Sequence, residues 1–186
     1  MMTEKEKMLC GELFDPDHDE ELLADMQQAK ILSYQFNTAL PSDYAGKETT
    51  LRQLLGATDR NFHIEPPFGC DYGYNIRIGE NFYANMNCIF LDDAPIDIGD
   101  NVFIGPQTTI CTVGHPLDTL QRRRGLQYAK AVHIGNDVWI GAQVTVLPGV
   151  SIGNNVVIGA GSVVTHDIPD NVVAFGNPCR VQKEMP

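Results

Sequence analysis

The chain has 186 residues, an ordinary globular share of hydrophobic residues and a formal net charge of −11. This length gives one main domain with an appendage, and the negative charge disfavours nucleic-acid binding because the phosphate backbone would be repelled. No apolar run approaches the roughly 20 residues that cross a bilayer, so we expect no membrane partner either. The charged residues 1–11 lack the apolar core of a signal peptide, and we expect a cytoplasmic protein.

Five cysteines are spread along the chain. They form no CxxC pair and their number is odd, which fits neither a zinc site nor a disulfide framework. We expect reduced cysteines that serve packing. They are Cys10, Cys70, Cys88, Cys111 and Cys179.

The first stretch of the chain predicts a short helix over about Glu4–Cys10. Thr3 and Glu6 have the spacing of a capping box, in which each side chain satisfies a backbone N–H group of the first turn. Gly11 is a typical stop signal because glycine readily adopts the left-handed conformation that ends many helices.

Two further helices are expected in the N-terminal region. One begins among the acidic residues after Pro16 and runs to about Asn37 on a rough apolar stripe. The other follows Thr50, which has capping-box spacing with the glutamine three residues later, and ends at Gly56. The three helices would form a small helical cap over residues 1–58.

A strict repeat replaces the helical pattern after the cap. The dipeptide Ile-Gly occurs seven times, and aliphatic residues fill the same register where glycine is absent, so that long runs step by six residues. Another aliphatic residue stands two positions earlier, which places both side chains on one face of a short strand. We expect the glycine, often followed by Asn or Asp, to supply the turn conformation. The isoleucines are Ile78, Ile98, Ile104, Ile134, Ile140, Ile152 and Ile158.

The six-residue period predicts a coiled architecture over residues 59–177, followed by a tail at 178–186. Three sides would close a triangular coil of about 18 residues, whose inward aliphatic side chains stack on the next coil. A β-sandwich is disfavoured because sandwich strands recur at roughly 8 to 12 residues. The period does not fix the hand of the coil, and the usual crossover preference is right-handed.

The repeat is interrupted over residues 112–131. Gly114, Pro116, Gly125 and three consecutive arginines in this stretch do not suit the interior of a coil. We expect an excursion loop here. Loops on rigid scaffolds often carry binding and catalytic residues, so this loop is the first candidate for function.

Several short strings indicate a family. They are GELF at 11–14, CDYGYNI at 70–76, NFYAN at 81–85, GHP at 114–116, VWIG at 138–141 and GNP at 176–178. Together with the repeat they resemble the maltose and galactoside O-acetyltransferases, hexapeptide-repeat acyltransferases, over nearly the whole chain and most closely the maltose type. The resemblance implies a mainly β fold, a left-handed parallel β-helix with a small N-terminal helical cap. It also implies acetyl-CoA as donor, a small sugar as acceptor, and a homotrimer with active sites at subunit interfaces. We expect no metal, because the cysteines and histidines form no ligand set.

Transfer of an acetyl group to a sugar requires a base, because a sugar hydroxyl is barely ionised at neutral pH. Histidine is suited to this role since its ordinary pKa, about 6.5, lies near the working pH. Among five histidines, only His115 lies beside Gly and Pro in the excursion loop, and it matches the catalytic histidine of the family. The implied mechanism is direct: His115 removes the hydroxyl proton, and the alkoxide attacks acetyl-CoA without an acyl-cysteine intermediate.

Asn85 and Asp93 match two further functional residues of the family. Asn85 resembles the asparagine that orients the substrate or stabilises negative charge on the thioester oxygen. It could instead form an asparagine ladder at a corner of the coil. Asp93 resembles the sugar-binding aspartate, since carboxylates accept hydrogen bonds from hydroxyl groups. The adjacent Asp92 is the alternative.

Two more acidic residues are predicted to contact the acceptor. Asp71 stands where galactoside enzymes have a small hydroxyl residue, which favours an acceptor of the maltose type. Asp17 corresponds to a sugar-binding aspartate of the cap, with Asp15 and Asp19 as alternatives because the spacing differs by one residue.

The resemblance also implies a set of residues for the acetyl-CoA donor. Small residues in successive coils would let the pantetheine arm approach the backbone, a tryptophan would lie beside it, and a basic end would meet the phosphates. Lys183 stands where an arginine is common, so a bidentate phosphate contact is not expected there. The set comprises Asn85, Trp139, Gly141, Ala142, Ala160, Thr165, His166, Arg180 and Lys183.

The sequence is also compatible with other functions. The same fold could acetylate another acceptor, such as serine or an antibiotic. A metal hydratase like the γ-type carbonic anhydrases would need three imidazoles, and His115 and His133 lack a convincing third member. A purely structural role is disfavoured by the loop that carries His115.

Overall fold

The computed structural model describes residues 2–185, in which a helical cap precedes a parallel β-helix. The helices are α1 (Glu4–Cys10), α2 (Glu20–Thr38), α3 (Tyr44–Leu54) and α4 (Thr119–Arg123), with a 3-10 turn at Pro16–His18. The strands are β1 (Ala57–Thr58), β2 (His63–Ile64), β3 (Phe68–Cys70), β4 (Ile76–Ile78), β5 (Tyr83–Ala84), β6 (Cys88–Leu91), β7 (Ile96–Ile98), β8 (Phe103–Ile104), β9 (Thr109–Cys111), β10 (Val113–Gly114), β11 (Tyr128–Ala129), β12 (Val132–Ile134), β13 (Trp139–Ile140), β14 (Thr145–Val146), β15 (Ser151–Ile152), β16 (Val156–Ile158), β17 (Val163–Val164), β18 (Val172–Phe175) and β19 (Arg180–Glu184).

The first two helices begin and end as their capping residues dictate. Thr3 Oγ1 accepts a hydrogen bond from Glu6 N at 3.1 Å, Glu6 Oε2 accepts one from Thr3 N at 2.8 Å, and Gly11 closes α1 with a φ of 81°. Asp19 caps α2 by accepting a hydrogen bond from Leu22 N at 2.9 Å. The capping box of α1 and the extent of α2 are confirmed.

The third helix begins earlier than the sequence predicted. Asp43 caps it by accepting a hydrogen bond from Gly46 N at 2.9 Å, so that α3 starts at Tyr44. Thr50 lies inside this helix, where its hydroxyl donates to Gly46 O at 2.9 Å. The prediction of a helix start at Thr50 was wrong because the glutamine three residues later gave a false capping-box signal, whereas the true N-cap is Asp43, which has no capping box.

Three parallel faces run along the β-helix, and each coil contributes one strand to each. The first face is β1-β4-β7-β12-β15, the second is β2-β5-β8-β13-β16-β18, and the third is β3-β6-β9-β14-β17. On the second face Ile104, Ile140 and Ile158 stand in register and are buried. Burial of each such side chain is worth about 1.5–3 kcal/mol, so the stacked interior is the main source of stability. The predicted fold class, a parallel β-helix with a small helical cap, is confirmed.

The residue that turns the backbone at the corners of the coil is not the one that the sequence predicted. Left-handed backbone occurs two residues after the Ile-Gly glycine, as at Asn101 with a φ of 58°, whereas none of the Ile-Gly glycines has a positive φ. The glycine is needed for space: a Cβ atom on Gly135 would lie 2.8 Å from the carbonyl carbon of Gly153 in the next coil. The Asn101 side chain continues a ladder by donating to Asp137 at 3.0 Å. The glycines therefore allow close stacking of coils, and the residue two positions later, most often Asn but also Gln, Asp or Gly, makes the turn.

The last coil is covered by a strand in the region that the sequence predicted only as a tail. β19 pairs antiparallel with β18, so residues 180–184 form the outer strand of the second face. All five cysteines carry free thiols. None of the helices in residues 2–185 has both the length and the apolar character needed to cross a membrane.

Candidate active site

The excursion loop is ordered by a two-stranded hairpin and a short helix. β10 pairs antiparallel with β11, and Asp118 caps α4 by accepting a hydrogen bond from Gln121 N at 2.8 Å. Pro116 is buried whereas His115 is exposed. The loop thus presents His115 at the surface on a fixed support.

One ring nitrogen of His115 is held by the backbone. Nδ1 lies 3.0 Å from the carbonyl oxygen of Leu126, which can only accept a hydrogen bond. Nδ1 therefore carries the proton, and in the neutral ring the lone pair is on Nε2. An imidazole with a fixed tautomer and an exposed Nε2 is equipped to act as a general base.

The helical cap binds the same part of the loop. Phe14 and Gln127 exchange two backbone hydrogen bonds of 3.0 Å each. Asp17 lies against Gly125, two residues before Gln127. A Cβ atom on Gly125 would be 2.9 Å from Asp17 Oδ2. Asp17 and the backbone that orients His115 are therefore neighbours.

The two alternatives to Asp17 are engaged within the cap. Asp15 lies 3.0 Å from His18 Nδ1, and this hydrogen bond keeps the pKa of Asp15 below its usual value. Asp19 caps α2 through Leu22 N. Of the three acidic residues, Asp17 is the one that the structure directs at the excursion loop.

Asp92 is a structural residue. Its Oδ1 accepts hydrogen bonds from Asp71 N at 3.1 Å and Tyr72 N at 2.9 Å, and its Oδ2 accepts one from Asn75 N at 3.2 Å. Burial raises its pKa to about 6 despite these bonds. The carboxylate fixes the chain that follows β3, so Asp92 has no free carboxylate oxygen for a sugar hydroxyl.

Asp93 has a different environment. It is 3% exposed, and its Oδ2 has no hydrogen-bond partner among the described residues. Burial, followed by the neighbouring Asp71 carboxyl, raises its pKa to about 8. Burial also raises the pKa of Asp71. The two side chains form a carboxyl pair at the ends of β3 and β6.

A short hydrogen-bond chain connects this carboxyl pair to the excursion loop. Ala94 N, directly after Asp93, donates to Thr112 Oγ1 at 2.9 Å, and the Thr112 hydroxyl donates to Leu91 O at 2.7 Å. Thr112 is the first residue of the loop. Asp71 and Asp93 therefore follow neighbouring strands of the third face, and the loop that carries His115 follows the next strand, β9.

The predicted donor residues lie mostly in a separate cleft on the second face. This cleft has a volume of about 540 Å³. Five members of the predicted donor set line it: Asn85, Trp139, Gly141, Ala142 and Ala160.

Asn85 faces this cleft with its amide nitrogen available. Its Oδ1 accepts a hydrogen bond from Met86 N at 2.8 Å, which leaves Nδ2 as a donor. The side-chain ladder at this corner is formed instead by Gln107 and Gln143 at 2.7 Å. The structure thus favours Asn85 as a hydrogen-bond donor to a ligand in the cleft over the ladder alternative.

Two aromatic residues of the cleft were not assigned from the sequence. Tyr83 and Phe103 stand in register with Trp139 on the outer surface of the second face. Phe103 is 52% exposed and Trp139 is 58% exposed. The sequence pattern could have identified them, since each aromatic residue occupies the outward position directly before a buried aliphatic residue.

The predicted phosphate-binding residues are only partly brought together. His166 and Arg180 line a second cleft of about 300 Å³, and Thr165 Oγ1 lies 2.8 Å from His166 Nδ1. Thr165 and Lys183 line neither cleft. Lys183 is exposed on β19, at the edge of the same second face.

His133 lies in a row of polar side chains on the first face. Its Nδ1 lies 3.3 Å from Asp97, which also pairs with Arg77 at 2.7 Å. Within residues 2–185, no group of three or more His, Cys, Asp or Glu side chains is arranged to hold a metal ion.

Two family models match the chain. The maltose acetyltransferase hexapeptide capping motif covers residues 7–59, and the bacterial transferase hexapeptide (six repeats) covers residues 131–166. The capping motif thus coincides with the helical cap, and the repeat motif with the coils after the excursion loop.

Known proteins with similar sequences and structures span the whole chain. The galactoside O-acetyltransferase of Escherichia coli K12 is 45% identical over 99% of this chain and 90% of its own. The structure of a maltose O-acetyltransferase from Clostridium difficile 630 has a TM-score of 0.98 and 51% identity, covering 100% of this chain and 98% of that chain. A hexapeptide-repeat acetyltransferase from Vibrio cholerae, complexed with acetyl coenzyme A, has a TM-score of 0.91 and 40% identity and covers 100% of both chains.

Proposed function

Because the chain belongs to the maltose and galactoside family of hexapeptide-repeat acetyltransferases, we propose that it transfers an acetyl group from acetyl-CoA to a hydroxyl group of a small sugar. The protein is an acyltransferase. The observation that supports the finer proposal most is His115, whose Nδ1 is fixed by Leu126 O so that Nε2 is the basic nitrogen. Asp17 and the Asp71–Asp93 pair supply the acceptor site beside the loop.

His115 would remove the proton of the bound hydroxyl through Nε2. The resulting oxygen attacks the thioester carbonyl, and the proton then passes to the departing thiolate of coenzyme A. Asn85 Nδ2 is the donor that would stabilise the developing oxyanion. None of these steps uses a cysteine nucleophile. Cys88 and Cys111 have pKa values raised by burial, which disfavours the reactive thiolate.

The cleft on the second face would hold the pantetheine arm of acetyl-CoA. Small residues at Gly141 and Ala160 leave backbone exposed to an extended arm, and Trp139 gives it an apolar wall. The phosphates would lie toward His166 and Arg180, near the end of the same face. We also infer a homotrimer in which a neighbouring copy closes this open cleft, as the family resemblance implies.

The class of acceptor is tested by thiol release from acetyl-CoA with the purified protein. The acceptors compared are maltose, glucose, a galactoside, serine and chloramphenicol. The mass of each product is measured. Release that depends on a sugar, with a mass gain of one acetyl group, is the expected outcome. Release only with serine or chloramphenicol would overturn the sugar assignment and leave the acetyltransferase class intact.

A further inference from the structure

We propose that Thr108 and Ser162, two hydroxyl side chains inside the β-helix, are positioning residues of the cleft on the second face. Each holds the carbonyl group of a cleft glycine inward, so that the next backbone N–H group points outward into the cleft. There it can donate to an amide carbonyl of the pantetheine arm. The inference rests on the proposed function for the identity of the ligand, acetyl-CoA, and it concerns two residues that do not touch this ligand.

Both hydroxyl groups lie in the interior of the coil, behind the cleft. Thr108 and Ser162 are fully buried. The Thr108 hydroxyl donates to Gly141 O at 3.2 Å, and the Ser162 hydroxyl donates to Gly159 O. Ser162 Oγ also accepts a hydrogen bond from Gly176 N at 3.1 Å, so this side chain is held from two sides. The two glycine carbonyls are therefore turned toward the interior.

The geometry of the peptide bond sets the direction of the next N–H group. Gly141–Ala142 and Gly159–Ala160 are trans peptides, in which the C=O and N–H groups point in opposite directions. The N–H groups of Ala142 and Ala160 therefore point away from the interior. Neither N–H group has a hydrogen-bond partner among the described residues, and both alanines line the cleft. A ligand in the cleft can supply the missing acceptors.

The spacing of these two N–H groups suits the chemistry of pantetheine. Ile140 and Ile158 are partners on adjacent strands, so Ala142 and Ala160 lie one coil apart, a distance of about 4.7–4.9 Å. The two amide carbonyls of pantetheine are separated by a β-alanyl unit, which is one methylene longer than an extended residue of about 3.5 Å. One extended arm can therefore accept from both N–H groups.

The neighbouring corners of the same face provide a matched control. The buried Cys88 thiol lies 3.4 Å from Gly105 O, which is the same kind of contact one coil earlier. The residue after Gly105 is Pro106, which has no N–H group to present. In the coil before that, Met86 N is already bonded to Asn85 Oδ1. Loss of the Cys88 contact should therefore lower stability and leave the binding of the arm unchanged.

The kinetic test compares the KM for acetyl-CoA with kcat and with the KM for the sugar. Thr108→Val and Ser162→Ala each remove one hydroxyl, and each should raise the KM for acetyl-CoA by about 3- to 10-fold, the effect of one neutral hydrogen bond. kcat and the sugar KM should stay near the wild-type values, because the arm makes these contacts equally before and during the transfer.

Two further variants separate positioning from folding. Thr108→Ser restores a hydroxyl and should restore the KM for acetyl-CoA. Cys88→Ala should lower the melting temperature and keep that KM at the wild-type value. An unchanged KM for acetyl-CoA in both Thr108→Val and Ser162→Ala would overturn the proposal, and so would a rise of the same size in Cys88→Ala.

Amide hydrogen exchange at single-residue resolution tests the wild type without any turnover. Saturating coenzyme A should slow the exchange of the Ala142 and Ala160 amides and leave that of the Met86 amide unchanged. Thr108→Val should lose the protection at Ala142 alone. A protein that binds coenzyme A but protects neither alanine amide would refute the inference and leave the proposed function intact. A wild type that binds no coenzyme A would refute the proposed donor, and the inference with it.

Discussion

The raised pKa of the buried Asp93 carboxyl has a consequence for stability. The unfolded side chain loses its proton near pH 4, whereas burial and Asp71 keep it protonated in the fold up to about pH 8. The native state thus binds more protons over this window. The stability contribution is complete below pH 4 and is lost as the pH rises to 8.

Asp93→Asn removes this contribution to the pH dependence. We expect the difference in melting temperature, variant minus wild type, to increase steadily from pH 5 to pH 8, because the amide has no proton to lose. Thermal unfolding in a series of buffers measures the difference. Parallel curves for the two proteins over that range would contradict a buried neutral Asp93.

At the scale of single elements, the period of six was the most reliable signal in the sequence. It predicted the in-register burial of Ile104, Ile140 and Ile158, because inward side chains must repeat once per side of the coil. Local capping signals were less reliable. The true capping residue Asp43 and the false candidate Thr50 both precede plausible helical residues, and the hydrogen bonds of the folded chain distinguish them.

For the candidate site too, the sequence predicted which residues are candidates better than it predicted their environments. His115 and Asn85 could be selected because they stand in strings with a known family pattern, and the structure gives each a free ring or amide nitrogen. The different environments of Asp92 and Asp93 could not be predicted from adjacent letters. Which one is held by backbone N–H groups depends on how the chain after β3 folds over the end of β6.

For the whole molecule, the second face is the surface that we expect a neighbouring copy to cover. Tyr83, Phe103 and Trp139 form an outward aromatic row along a cleft of about 540 Å³, with β19 covering the last coil. Exposed apolar surface of this kind is typical of an interface or ligand site.

We expect a solution mass of three chains of 20.5 kDa each by light scattering. Phe103→Glu should lower that mass, because a charge would be placed in the aromatic row. Phe103→Leu is its control, since it keeps the row apolar. A wild-type protein that is monomeric and fully active would contradict the inferred trimer.

The proposed mechanism depends on His115, which the excursion loop holds in a fixed orientation. Thiol release from acetyl-CoA in the presence of a sugar should fall by at least about a hundredfold in His115→Ala, since a general base contributes roughly 10²–10⁴ in rate. His133→Ala, on the first face, should retain the wild-type rate. A His115→Ala protein that keeps its rate, with an unchanged melting curve, would contradict the proposed mechanism while leaving the β-helix and its family intact.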